Sequence, residues 1–210
     1  AAADDAVRAI AITGNGDAFS SGLDFGADGP SDRGPSGTTA IVDDLGWVGR
    51  FPVVLREECD KPVVAGINGI AIGAGLSLAM AADLRVMSDA ARVHPGYIRA
   101  GTSPDGGLSW TVTEALGREG ALRFLLGNEF VDATQALAIG LVGEIAPAAS
   151  FDDALLARAH ALAAQAPIGV RQTKRLVNRA LAGDDLASHV RAELAYVHRG
   201  LQSDDGQEAV

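Results

Sequence analysis

Residues 62–83, PVVAGINGIAIGAGLSLAMAAD, place Gly66, Gly69, Gly73 and Gly75 inside an otherwise apolar run. Glycine weakens helix and strand interiors alike, so each of these positions asks for a backbone reason. The run opens as a buried strand from Pro62 to Ile67, turns at Asn68-Gly69, passes through Gly73-Ala74-Gly75 and continues as an apolar helix to about Ala82. A strand that enters a helix through small residues leaves unpaired N–H groups at the helix start. Such groups favour an anion or a negative charge developing on oxygen.

Outward from that stretch, 210 residues with 48% hydrophobic content suffice for a sizeable core. Acidic residues outnumber basic ones by 27 to 17, which argues against nucleic acid and anionic membranes as partners. The single cysteine, Cys59, forms no internal disulfide and agrees with a reducing compartment, so a soluble, cytoplasmic protein is expected. Neither a secretory signal nor a membrane span is read from the chain. His94, His160, His189 and His198 are scattered without metal-ligand spacing, and no metal site is expected.

The chain opens as if partway through a helix leading to a strand at 7–13, with AFSSGLDF beyond its turn. The segment GADGPSDRGPSG, residues 26–37, reads as a mobile loop. Residues 38–59 carry helical spacing interrupted by Pro52. Strands are expected at 84–87, 92–94 and 141–145, short helices at about 117–126 and 133–139, and helix only from Phe151 onward. Strands with intervening helices, then helices alone, argue for an α/β core with a helical appendage, divided at 1–148 and 149–210. In the helix after Pro167, Val170, Thr173, Val177 and Ala180 line one face, whereas Arg171, Lys174, Arg175 and Arg179 are expected on a solvated one.

Two local patterns suggest other enzymes and are set aside. Gly75-Leu76-Ser77-Leu78-Ala79 imitates a nucleophile elbow, but its glycine-rich approach is too long and no later histidine sits in an obvious strand-end loop. Gly73-Ala74-Gly75 lacks the third glycine and the acidic partner of a dinucleotide fingerprint.

AITGNGDAFSSGLDF, then KPVVAGINGIAIGAGLSLAMAADLRV, then GTSPDGGLSW, then ALGREGALRFLLGNEFVDATQALAIGLVGEIAP together resemble the crotonase (enoyl-CoA hydratase/isomerase) superfamily over essentially the whole chain. The resemblance implies repeated ββα turns forming a spiral core, a C-terminal helical region used in trimer formation, often a dimer of trimers, and an acyl-CoA thioester substrate. It implies no metal or redox cofactor, with coenzyme A arriving as part of the substrate. By similarity the thioester oxyanion is met by the N–H groups of Leu23 and Ala74. Ser21, Gly22 and Gly73 lie in the same turns, and the two glycines allow close approach of the backbone.

The two glutamates that hold water in the family's hydratases align with Ser77 and Tyr97, neither of them a carboxylate. Usual hydration is therefore not expected. A third position, the proton-transferring carboxylate of several isomerases, aligns with Asp105, flanked by Pro104, Leu108 and Trp110. Capping of the following helix is the bland alternative for Asp105. Tyr97 either donates a hydrogen bond in the pocket or lines it, and Ser77 and Trp110 are expected to line it. Phe25-Gly26 stand where relatives often place a basic residue for the CoA phosphates. An isomerase is the expected activity. An atypical hydratase, a diketone carbon–carbon hydrolase of the same fold and a non-catalytic acyl-CoA-binding subunit are the alternatives.

Overall fold

The computed structural model describes residues 1–23, 45–203 and 206–207, the side chain of Trp47 excepted. The expectations for residues 26–37, for Phe25-Gly26 and for a helix over 38–44 fall outside the described residues.

Alternation between two sheets organises the chain. Strands β1 (Ile10–Thr13), β3 (Val63–Ile67), β5 (Leu84–Ser88) and β8 (Glu144–Ala146) form one all-parallel sheet in the order β1-β3-β5-β8. Strands β2 (Ala18–Ser20), β4 (Ile70–Ile72), β6 (Arg92–His94) and β7 (Val131–Asp132) form the other, with only β7 antiparallel. Each early repeat sends one strand to each sheet and then a helix: α1 (Gly46–Val53) follows β2 in the chain, α2 (Ala74–Ala81) follows β4 and α3 (Leu108–Gly127) follows β6. Helix α4 (Ala133–Ile139) lies between β7 and β8, and α5 (Phe151–Ala163), α6 (Pro167–Leu181) and α7 (Leu186–Leu201) complete the chain.

Strand β3 is buried along its whole length, as expected of a central parallel strand covered on both faces. Its alternate residues serve two cores. Val63, Ala65 and Ile67 join Leu76, Met80, Met87, Leu108, Val112 and Leu141 in the main cluster, and Val64 joins Val86, Ala146, Phe151 and Leu155 in the second. Gly66 makes room for α5: a Cβ there would stand 2.4 Å from Leu155 Cδ2.

The structure changes several boundaries. Residues 1–6 form turns rather than the end of a helix, closed by bonds such as Val7 N to Asp4 O, and the first strand starts at Ile10 rather than Val7. Ile70–Ile72 is a strand of its own, too short between Gly69 and Gly73 to declare itself in the sequence. Pro52 sits inside α1, which runs on as a π-helical turn over Val54–Glu58. The short helix expected at about 117–126 is part of a longer element that starts at Leu108 and is bent where Gly117 adopts φ 67° and ψ 175°. Helix α4 starts with a capping box, Asp132 and Gln135 each bonding the other's backbone N–H, and closes at Gly140.

The basic face of α6 is solvated at Arg175 and Arg179, 53% and 42% exposed, but not at Lys174. Lys174 is 8% exposed and its Nζ donates to Asp83 Oδ2 at 2.7 Å and to the carbonyls of Leu55 and Lys61. Arg175 pairs with Asp60, and Arg179 with Asp184. Lys174 ties α6 to the core, while Val177 on the apolar side is 53% exposed. Among the described residues, no helix is long and apolar enough to cross a membrane, and no group of His, Cys, Asp and Glu is placed to hold a metal ion.

Candidate active site

Two glycine turns lie side by side because the strands before them are parallel neighbours. Strand β2 runs into Ser21-Gly22-Leu23 and β4 into Gly73-Ala74. Gly22 has φ +90° and Gly73 φ +55°, values that residues with a Cβ rarely adopt. A Cβ on Gly22 would stand 2.8 Å from the Ile72 carbonyl oxygen and 3.4 Å from Ala74 N. With standard covalent dimensions the Leu23 and Ala74 nitrogens therefore lie within about 7 Å of each other. Ala74 is the first residue of α2 and has no acceptor within the helix. Ser20 presses against Gly75, where a Cβ would be 2.6 Å from the Ser20 carbonyl oxygen. The Gly73 N–H is engaged instead, donating to the His94 carbonyl at 3.2 Å.

Behind these turns Ser77, Tyr97 and Asp105 form a connected group. Ser77 follows Ala74 by one turn of α2, and Tyr97 precedes the short 3-10 turn Ile98–Ala100. Asp105 precedes Gly106 and Gly107, whose φ values of 55° and 73° swing the chain into α3. The Tyr97 hydroxyl donates to Asp105 Oδ1 at 2.5 Å and lies 2.9 Å from Ser77 Oγ. Ser77 Oγ also lies 3.1 Å from the carbonyl oxygens of Gly73 and Asp105. Burial, then the bond to Asp105, pushes the Tyr97 phenol well above its ordinary range, so it stays neutral.

Asp105 does not cap α3 through its side chain: Gly107 occupies the cap position and no side chain bonds there, while Leu108 N donates to the Asp105 carbonyl. Trp110 does not shield Asp105. It is 62% exposed, its Nε1 donates to Glu114 Oε1 at 2.6 Å, and it lines an outer cleft with Arg56, Glu114 and Tyr196. Two residues at the site carried no signal in the sequence beyond ordinary spacing. Ser20 buttresses Gly75, and Phe51 of α1 reaches Gly106, where a Cβ would be 2.9 Å from Phe51 Cζ and from Ser77 Cβ. His94 is buried, with Nε2 2.8 Å from the Asn128 carbonyl, so that nitrogen carries a proton.

A cleft of about 710 Å³ lies apart from this group, between α6 and the core; along it Arg56 pairs with Glu114, Lys174 with Asp83, and Arg85 donates to the carbonyls of Leu141 and Ala82. The glycine turns, with Ser77, Tyr97 and Asp105 behind them, are the candidate site.

The sequence profile described as enoyl-CoA hydratase/isomerase matches residues 1–210. The chain belongs to this family. It is 35% identical over 193 residues to a probable enoyl-CoA hydratase, echA12, of Mycobacterium bovis, covering 90% of this chain and 67% of that protein. It is 31% identical to the 1,2-epoxyphenylacetyl-CoA isomerase of Escherichia coli, covering 99% of this chain and 78% of that one. The crystal structure of a probable enoyl-CoA hydratase/isomerase from Mycobacterium abscessus superposes with a TM-score of 0.84 at 32% identity, covering 99% of this chain and 78% of that chain. Family membership accounts for the paired strands of each repeat as turns of the crotonase spiral.

Proposed function

We propose that this member of the family is an enoyl-CoA isomerase, moving a double bond along the acyl chain of a CoA thioester. In this reading the Asp105 carboxylate takes a proton from the carbon next to the thioester of a 3-enoyl-CoA. The C–H electron pair shifts into an enolate, and the charge grows on the thioester oxygen beside the Leu23 and Ala74 amides. Donors fixed in advance where charge develops lower such a barrier without reorganising. Asp105 then returns the proton to the fourth carbon, leaving a 2-enoyl-CoA. No other cofactor enters, and Ser21, Gly22 and Gly73 shape the turns that meet the thioester.

The observation that carries this reading is the 2.9 Å contact between Ser77 Oγ and Tyr97 Oη. Oxygen atoms in direct contact leave no room for a water bridging them. Asp105 is then the one carboxylate in a group otherwise made of neutral hydroxyls. Hydration is the rival suggested by the name of the Mycobacterium bovis relative. A panel of 3-enoyl- and 2-enoyl-CoA substrates read by product mass separates the two: isomerisation leaves the mass unchanged, and gain of one water overturns the proposal. Asp105→Asn should lower kcat by about 10²- to 10⁴-fold, the usual worth of a positioned base, with thermal unfolding little changed.

The same reading assigns Leu186, Val190, Leu194, Val197 and Leu201, an exposed stripe on α7, to contacts between copies in a homotrimer. Light scattering that returned a monomer would remove that assignment.

A further inference from the structure

The hydrogen bonds behind the two turns run in one line, from the Gly73 carbonyl through Ser77 and Tyr97 to Asp105. One end is the turn that presents the Ala74 amide, and the other is the carboxylate. Proton inventory fixes most of the directions. The Asp105 carboxylate only accepts, so the single phenolic proton of Tyr97 goes to Oδ1. The Tyr97 oxygen is then left to accept from Ser77, whose one proton is shared with two carbonyls. Among the described residues, no partner meets Asp105 Oδ2.

The Tyr97 side chain is suited to hold a direction. It is 8% exposed and its ring belongs to the main hydrophobic cluster. Packing on all sides removes its freedom to rotate. Asp105 is half-buried: its main-chain carbonyl is met by Leu108 N and Ser77 Oγ, while Tyr97 is the partner of its carboxylate among the described residues.

We infer that Tyr97, seated on Ser77, is a positioning residue: it occupies Asp105 Oδ1, sets the carboxylate's orientation relative to the Ala74 turn, and leaves Oδ2 as the atom that exchanges a proton with substrate. This rests on the isomerase reading for the reaction it serves. Tyr97 acts through direction rather than by moving a proton, since its buried phenol is held protonated well above the ordinary range.

Two measurements test it. Tyr97→Phe removes only the hydroxyl and should lower kcat about 10- to 100-fold, the worth of one hydrogen bond to a charged group, with KM within about twofold. Turnover by Tyr97→Phe at the unsubstituted rate overturns the inference. The second readout needs no turnover. Of the protein's 2 tyrosines, Tyr196 is replaced by Phe, so tyrosinate absorbance reports Tyr97 alone. Asp105→Asn in that background should move the ionisation of Tyr97 to lower pH, and an unmoved titration overturns the contact. If the unsubstituted protein turns over no enoyl-CoA at all, the isomerase reading fails and the titration alone decides whether Tyr97 and Asp105 are joined.

Discussion

A methyl group added at Gly22 would lie 2.8 Å from the Ile72 carbonyl oxygen and 3.4 Å from Ala74 N. Carbon–oxygen contacts settle at about 3.3–3.6 Å even when attractive, so one of the two turns has to retreat by roughly 0.5–0.8 Å. Leu23, whose amide is proposed to face the thioester oxygen, is the next residue and moves with it. Removing such a donor costs about 10²- to 10³-fold in kcat, and a misplacement of about 1 Å costs about 10²-fold. Gly22→Ala should therefore lose about 10- to 100-fold in kcat. Its φ of +90° adds about 1–3 kcal/mol of backbone strain. Gly16→Ala supplies the control, because Gly16 has φ +76° but nothing within 4 Å of where its Cβ would be. That variant should lose comparable stability and keep its kcat. Steady-state kinetics with a 3-enoyl-CoA and urea unfolding of both proteins make the comparison. Equal kcat values for the two variants would refute the argument that close approach of the turns builds the site.

Three further outcomes follow from packing and charge. Lys174→Met strips Asp83 and two carbonyls of their shared donor and should destabilise the protein by about 3 kcal/mol in chemical denaturation. Asn128 has φ +50°, is 6% exposed, and among the described residues no partner meets its Oδ1. Asn128→Gly should raise stability by about 1 kcal/mol, seen as a higher urea midpoint. Tyr97 keeps its proton to higher pH when folded than when unfolded. Its contribution is complete below the unfolded phenol value of about 10, and is lost as pH rises toward the folded value. Stability should fall by up to about 1.4 kcal/mol per pH unit across that window, and Tyr97→Phe should flatten the slope.

Much of the site could be read from residue order because it is local. The run Val63–Ile67, the turn at Gly73 and the helix from Ala74 follow from apolar content and glycine placement within one stretch. The 2.9 Å and 2.5 Å contacts of Tyr97 could not be read that way, since they join residues 20 and 8 positions apart through folded geometry. Lys174 shows the limit most plainly: its helix has a convincing apolar side, yet the lysine on the other side reaches Asp83, 91 residues away. Trp110 misled for the opposite reason. It is near Asp105 in sequence, but α3 turns it outward onto Glu114. Strand β4 was hidden by its three-residue length, its identity coming from partners in β2 and β6 rather than from its own composition.

The Leu23 and Ala74 amides belong to the main chain, and their neighbourhood is set by how β2 pairs with β4 rather than by the identity of any reactive side chain. Ser77, Tyr97 and Asp105 stand on separate segments behind that frame. If these amides meet a thioester oxygen as proposed, such a polypeptide can exchange side chains behind them one residue at a time while the main-chain contact persists. Divergence of chemistry on such a scaffold needs substitutions, not a new backbone.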